Sequence, residues 1–179
     1  MLLSVGSGKL SNFVPAAMKT LLVIRHAKSS WDNVSQDDFD RPLNSRGHHD
    51  APEMARRLLA RQLQIDTFIS STAVRAFTTA TYFAKAYHLS EKKIIAVPEL
   101  YHASVAVLFH TISQIDNRYQ SAAIFSHNPG ITAFVNELCS VKIDNMPTCG
   151  IFAVEADTLQ WKDFEWAEKS FLLFDYPKL

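Results

Sequence analysis

The sequence predicts an α/β domain built on a mostly parallel sheet. Three observations carry that prediction. Short apolar runs alternate with longer amphipathic segments, the pattern of strands joined by helical crossovers. The runs at 19–24 and 122–126 are mostly apolar without strict alternation, as strands covered on both faces are. The chain has 179 residues, 47% apolar and 20% charged, enough for one domain with a sizeable core.

Taken in order, the chain opens with MLLSVGSGKLSNFVPAA, a short apolar tip followed by small and polar residues. It lacks the charged start and sustained apolar run of a secretory signal. Residues 1–17 are therefore expected to lie outside the fold, as a disordered or non-native extension, and residues 18–179 to form a single domain. Residues 19–24 read as a central strand that runs straight into Arg25 and His26.

The next segment, SRGHHDAPEMARRLLARQ, is helical in pattern but contains Pro52. Proline removes a ladder hydrogen bond, so the pattern places the helix start near Asp50 with Pro52 in the first turn. A longer helix kinked at Pro52 is the alternative. Residues 66–70 are a second strand. Residues 71–89 form an amphipathic helix, with Ser71 or Thr72 as N-cap and Val74, Phe77, Tyr82 and Phe83 facing inward. Residues 93–97 are a short third strand, and 104–115 a helix capped by Ser104. Residues 122–126 are the fourth strand. The helix at 128–139 has Pro129 near its first position, where the missing N–H costs nothing. Residues 149–156 are a fifth strand, and SFLLF near the end reads as a late one.

Composition narrows the function classes. Lysine plus arginine total 18, and aspartate plus glutamate also total 18. That balance gives no support to a nucleic-acid or membrane partner. No apolar run is long enough to span a bilayer. Cys139 and Cys149 form neither a CxxC nor a zinc-ligand pattern. They suit a reducing compartment, the cytoplasm, as buried thiols. His48 and His49 are adjacent, so a helix splays them to different faces, and no metal site is expected there.

Four residues stand at matching junctions. Arg25 and His26 follow the first strand, Arg75 lies in the first turns after the second, and His127 follows the fourth. If the sheet is parallel, these strand ends share its carboxyl edge, where ligands bind in open α/β sheets. Two arginines, two histidines and helix N-termini there make an anion pocket. The guanidinium fork can bond two phosphate oxygens at once. A neutral imidazole can attack phosphorus without first losing a proton. A lone strand-end histidine is more often a surface residue; the set of three junctions makes the case.

The strings VIRHAKSSW, RPLNSRG, SSTAVRAFTTA, PELYHAS and IFSHNPG, in this order, resemble the histidine phosphatase superfamily. Within it they are most similar to the SixA-type phosphohistidine phosphatases. The resemblance covers about residues 18–179 and implies the phosphoglycerate-mutase-like fold, a three-layer α/β/α sandwich. The chain has no room for the large cap insertions of the acid phosphatase branch. By this resemblance His26 is the nucleophile that becomes a phosphohistidine. Arg25 and Arg75 clamp the phosphoryl oxygens, and His127 adds a fourth contact. The ring of His26 is expected to be held through its other nitrogen by a backbone carbonyl of the loop after the first strand. Ala27 replaces the glycine that commonly follows the Arg-His pair, a known variant of the SixA-type branch.

The resemblance implies a phosphatase that needs no metal or other cofactor and acts on phosphohistidine in a protein. A small phosphorylated compound as substrate is the alternative. A phosphate-binding module with little turnover is the reading from a different class, and the intact quartet favours the enzyme. A mutase is disfavoured by the short chain.

Other residues are open to two readings. Lys28, Ser29 and Ser30 line the pocket mouth or are plain loop residues. Arg41 reaches the site or pairs with Asp38 or Asp40. Trp31 packs over the mouth or anchors its loop. Glu99, the only carboxylate of VPELYHAS, is the candidate proton donor, although a solvent-facing position is the favoured reading. His88, His102 and His110 read as ordinary surface or partly buried residues.

Overall fold

The computed structural model describes residues 18–32 and 35–177. The expectation for residues 1–17 lies outside them. Six strands form one sheet: β1 (Lys19–Arg25), β2 (Thr67–Ser70), β3 (Ile95–Ala96), β4 (Ser121–Ser126), β5 (Ile151–Ala156) and β6 (Lys169–Asp175). Their order is β3-β2-β4-β1-β5-β6. β1 and β2 both pair with β4 in parallel, and β3 pairs with β2 in parallel. β5 and then β6 add to the other side in antiparallel fashion. The sheet is thus mostly parallel, as the alternating pattern predicts.

Side chains of β1 divide the core by the two-residue period of a strand. Leu21 and Val23 face α3 (Val105–Ser113) and α4 (Gly130–Leu138), with Leu108, Ile112, Ile131 and Phe134 among their neighbours. Leu22 and Ile24 face the opposite layer, formed by α1 (Ser45–Ala60) and α2 (Val74–Ala86), with Met54, Leu58 and Phe83. The result is the three-layer α/β/α sandwich. Register then fixes where the strand ends fall. Arg25 stands opposite Ser126, and Ser70 opposite Phe125. The carboxyl ends of β1, β2 and β4 therefore meet at one edge.

Several local expectations are corrected. The helix containing Pro52 starts at Ser45, not near Asp50. The Asn44 side chain accepts the Gly47 N–H at 2.9 Å, a cap strong enough to set the start well before the proline. Pro52 and His48 are both exposed, so water can take the bond that Pro52 cannot donate. Helix α2 is capped by Ala73 without a side-chain bond, while Ser71 Oγ instead accepts the Ala73 N–H at 3.3 Å. Val74 is exposed rather than inward, Phe77 and Tyr82 are half-buried, and Phe83 is fully buried. The third strand shrinks to two residues between 3-10 turns at Glu91–Lys93 and Pro98–Leu100. Pro129 falls at the N-cap of α4, next to the first helical position, as expected. Among the described residues no helix is long and apolar enough to cross a membrane.

Candidate active site

The site begins where β1 leaves the sheet. Backbone bonds hold that exit on both sides: His26 N–H donates to Ser126 O at 3.2 Å, and Cys149 N–H donates to His26 O at 3.1 Å. The loop is also tied to α2. Ala27 N–H donates to Thr79 Oγ1 at 3.0 Å, and that hydroxyl donates to Arg75 O at 2.7 Å. The histidine and the helix that carries Arg75 are therefore fixed to each other before any side chain is considered.

The His26 ring is held at both nitrogens. Nδ1 lies 2.8 Å from Ala27 O, and Arg75 Nε donates to Nε2 at 3.3 Å. A carbonyl can only accept, so Nδ1 carries the ring proton and Nε2 presents a lone pair. This is the backbone anchor expected from the sequence. His127 stands with its ring 5.0 Å from that of His26. Its Nε2 lies 2.9 Å from Ser71 Oγ. When the Ser71 hydroxyl gives its hydrogen to Nε2, the proton of neutral His127 sits on Nδ1.

Electrostatics keep both imidazoles neutral. Burial pushes His26 down to about 3; its bond to Ala27 opposes this, and Arg75, Arg25 and Arg41 add to it. Burial, reinforced by His26, Arg75 and His102 and opposed by Asp38, pushes His127 down to about 2. Arg25 is lowered by burial and by Arg75, yet an arginine starts too high to lose its charge at neutral pH. Arg25 Nη1 donates to Met146 O at 2.7 Å. Its Nε, together with His127 Nδ1, is buried with no hydrogen-bond partner among the described residues. Unpaired buried polar atoms are rare and call for an explanation. A tetrahedral oxyanion beside His26 Nε2 would supply acceptors to both.

Arg75 is buried and already engaged. Its Nη2 donates to Asp38 Oδ2 at 2.8 Å, and its Nη1 donates to the Asp38 carbonyl. Asp38 also accepts from Arg41 Nη1 at 2.7 Å and from Tyr101 Oη at 2.8 Å. Burial raises the Asp38 carboxyl, but the bonds from Tyr101, Arg41 and Arg75 outweigh it and hold the group well below the usual carboxylate range. Asp38 is therefore a fixed anion at the mouth of the site.

Of the residues with two readings, Arg41 takes the structural one. Besides Asp38 it bonds Ser30 O and Ser29 Oγ, and its guanidinium lies 3.2 Å from the centre of the Trp31 ring. Trp31 thus anchors its loop, and Ser29 is a partner of Arg41. Lys28 is exposed, and its carbonyl packs so closely on Gly47 that a Cβ there would sit 2.1 Å away. Glu99 does not join the cluster. It is exposed and borders a separate apolar cavity of about 690 Å³, beside Ile69, Val97, Val107 and Ile115.

The residues that sequence reasoning underrated are Asp38, Tyr101 and His102. Leu100 O accepts from Ser126 Oγ at 2.7 Å, and Gly130 allows Ala103 O to pack against the start of α4. These contacts lay the 100–103 segment across the strand ends. There the Tyr101 ring is 5.4 Å from His127, and the His102 ring is 6.1 Å from it. Tyr101 and His102 both belong to the PELYHAS string, whose place beside the site is set by these distant contacts.

Comparison with known proteins follows the same lines. The sequence profile of the histidine phosphatase superfamily (branch 1) matches residues 21–108. An uncharacterized chloroplastic protein of Arabidopsis thaliana is 27% identical over 155 residues, which are 81% of this chain and 70% of that one. A candidate phosphohistidine phosphatase SixA from Agrobacterium tumefaciens has a similar structure, with TM-score 0.76 and 23% identity over 89% of this chain and 98% of its own. A mycobacterial glucosyl-3-phosphoglycerate phosphatase shares the fold at TM-score 0.62 and 15% identity, covering 87% of this chain and 97% of its own.

Proposed function

The chain belongs to the histidine phosphatase superfamily, and we propose that it hydrolyses a phosphorylated substrate through a phosphohistidine formed at His26. One observation carries this reading. The His26 ring is neutral, gives its proton to Ala27 O, and turns the lone pair of Nε2 toward Arg75.

In this mechanism Arg25, Arg75 and His127 bind the phosphoryl oxygens and bear the charge that develops on them. Nε2 attacks phosphorus in line with the departing group. Water then attacks the phosphohistidine from the opposite side and releases inorganic phosphate. The protein's contribution is position and fixed charge.

For the substrate we propose phosphohistidine in a protein. The carboxylate at the mouth, Asp38, is held ionised and has no proton to give to an alkoxide. An imidazole, once protonated, departs more readily than an alkoxide, which supports this substrate. A small phosphomonoester is the second reading, because the fold is shared with a glucosyl-3-phosphoglycerate phosphatase. The free thiols of Cys139 and Cys149 support a reducing compartment, the cytoplasm.

The test is turnover of an aryl phosphate by wild type and His26→Ala. Loss of turnover in the variant supports the nucleophile. Equal rates refute it. Rates on a phosphohistidine protein against a panel of sugar phosphates then separate the two substrate readings.

A further inference from the structure

We propose that His102, paired with Asp38, is the proton donor to the leaving group. This rests on the phosphatase reading above and names the residue that completes it.

Three observations point there. His102 Nε2 lies 3.8 Å from Asp38 Oδ2, the oxygen that also accepts from Arg75 and Tyr101. That fixed anion lies against the ring and orients it at the mouth of the site. The ring centre lies 4.1 Å from that of Tyr101, tilted by 52°, and 6.1 Å from that of His127, so it stands at the rim of the phosphoryl site with more than half of its side chain open to solvent. Finally, His102 has φ 54, a left-handed conformation that a non-glycine residue rarely adopts. Such strain persists only where surrounding contacts hold it. Here they are the Ser126–Leu100 bond and the packing of Ala103 O against Gly130.

The charged and titratable groups facing His102 are Asp38, Tyr101 and His127, with Arg75 behind Asp38. Tyr101 spends its hydroxyl proton on Asp38 and is raised by burial and by that bond, so it is not the donor. His127 is buried and neutral.

The proton accounting closes. His26 Nε2 forms the new bond to phosphorus as the bond from phosphorus to the leaving atom breaks. The leaving atom takes its proton from the His102 imidazolium, which becomes neutral. In the second step neutral His102 takes a proton from the attacking water as the phosphorus–Nε2 bond breaks, and the imidazolium is restored. An alkoxide and an imidazole anion are both poor leaving groups, and a proton delivered at the leaving atom lets either depart neutral.

The experiment uses His102→Asn and His102→Gly, because asparagine and glycine both accept the left-handed backbone. Rates are measured for phosphate esters of rising leaving-group pKa and for a phosphohistidine protein. The expected loss grows along the series, from small with nitrophenyl phosphate to about 10²-fold or more with alkyl phosphate and phosphohistidine. Added imidazole should restore His102→Gly on the poor leaving groups. An equal loss across the series, or no loss, overturns the donor assignment while leaving the nucleophile intact. A wild type that turns over no ester, or at the rate of His26→Ala, overturns the underlying phosphatase reading, and the donor falls with it.

Discussion

Gly130→Ala tests how the site is held together, because two effects predict opposite signs. Gly130 is the first residue of α4, and helix propensity alone makes alanine there stabilising by up to about 1 kcal/mol. Packing says otherwise. A Cβ at Gly130 would lie 1.9 Å from Ala103 O and 3.2 Å from its carbonyl carbon. The obstacle is backbone, so relief requires α4 and the 100–103 segment to separate by roughly 1 Å, at an overpacking cost of about 1–3 kcal/mol. The net expectation is a loss of about 1–2 kcal/mol. For a domain of this length that lowers the melting temperature by roughly 2–8 °C.

The separation falls between Tyr101–His102 on one wall and His127 on the other, so activity should fall more than stability. A shift of that size costs on the order of 10² in kcat/KM. Calorimetry and aryl phosphate hydrolysis read the two effects. A variant that melts at or above wild type and retains its kcat/KM refutes the close-approach argument.

Three further outcomes follow from the geometry. Arg75→Ala should weaken vanadate or tungstate binding by about 10²–10⁴, the loss of two charge-assisted bonds, and Arg75→Lys should recover only part, as titration calorimetry will show. Equal affinity in Arg75→Ala would contradict the clamp. Asp38→Asn should raise the affinity for inorganic phosphate, by about 10-fold if one charged bond of Arg75 is freed from competition; an unchanged or weaker affinity would count against Asp38 as a competing anion. The third outcome concerns pH. His26 and His127, neutral in the fold with values pushed down to about 3 and about 2, take up protons on unfolding once the pH drops below about 6.5. The unfolded chain then binds more protons, so stability is present above that pH and is lost below it, by up to about 1.4 kcal/mol per pH unit per histidine. Urea midpoints between about pH 7 and about pH 5 should fall in wild type and fall less in His26→Gln and His127→Gln. Equal slopes would show that the rings are not held neutral.

The fold was legible where local pattern and burial agree. β1 and β4 are covered on both faces, and their apolar runs say so directly. Arg25, His26, Arg75 and His127 were legible because each sits at a strand-to-helix junction, and a parallel sheet gathers such junctions at one edge. Reading failed where a distant contact decides. Asp38 meets Arg75 across 37 residues of sequence and Tyr101 across 63, and no periodicity reports either. The start of α1 departs from the pattern because the Asn44 cap outweighs the proline inside the helix. Gly47 and Gly130 look like ordinary glycines until the carbonyls of Lys28 and Ala103 are found against them.

The central claim is that the phosphoryl group passes through His26 Nε2. Its most direct test is to quench the enzyme during turnover of an aryl phosphate under alkaline denaturing conditions, where phosphohistidine survives, and to map the modified peptide. Phosphate is expected on the peptide carrying His26, with phosphorus NMR placing it on Nε2, and none in His26→Ala. Phosphate on His127 or another residue, or turnover with no phosphoenzyme, would contradict it.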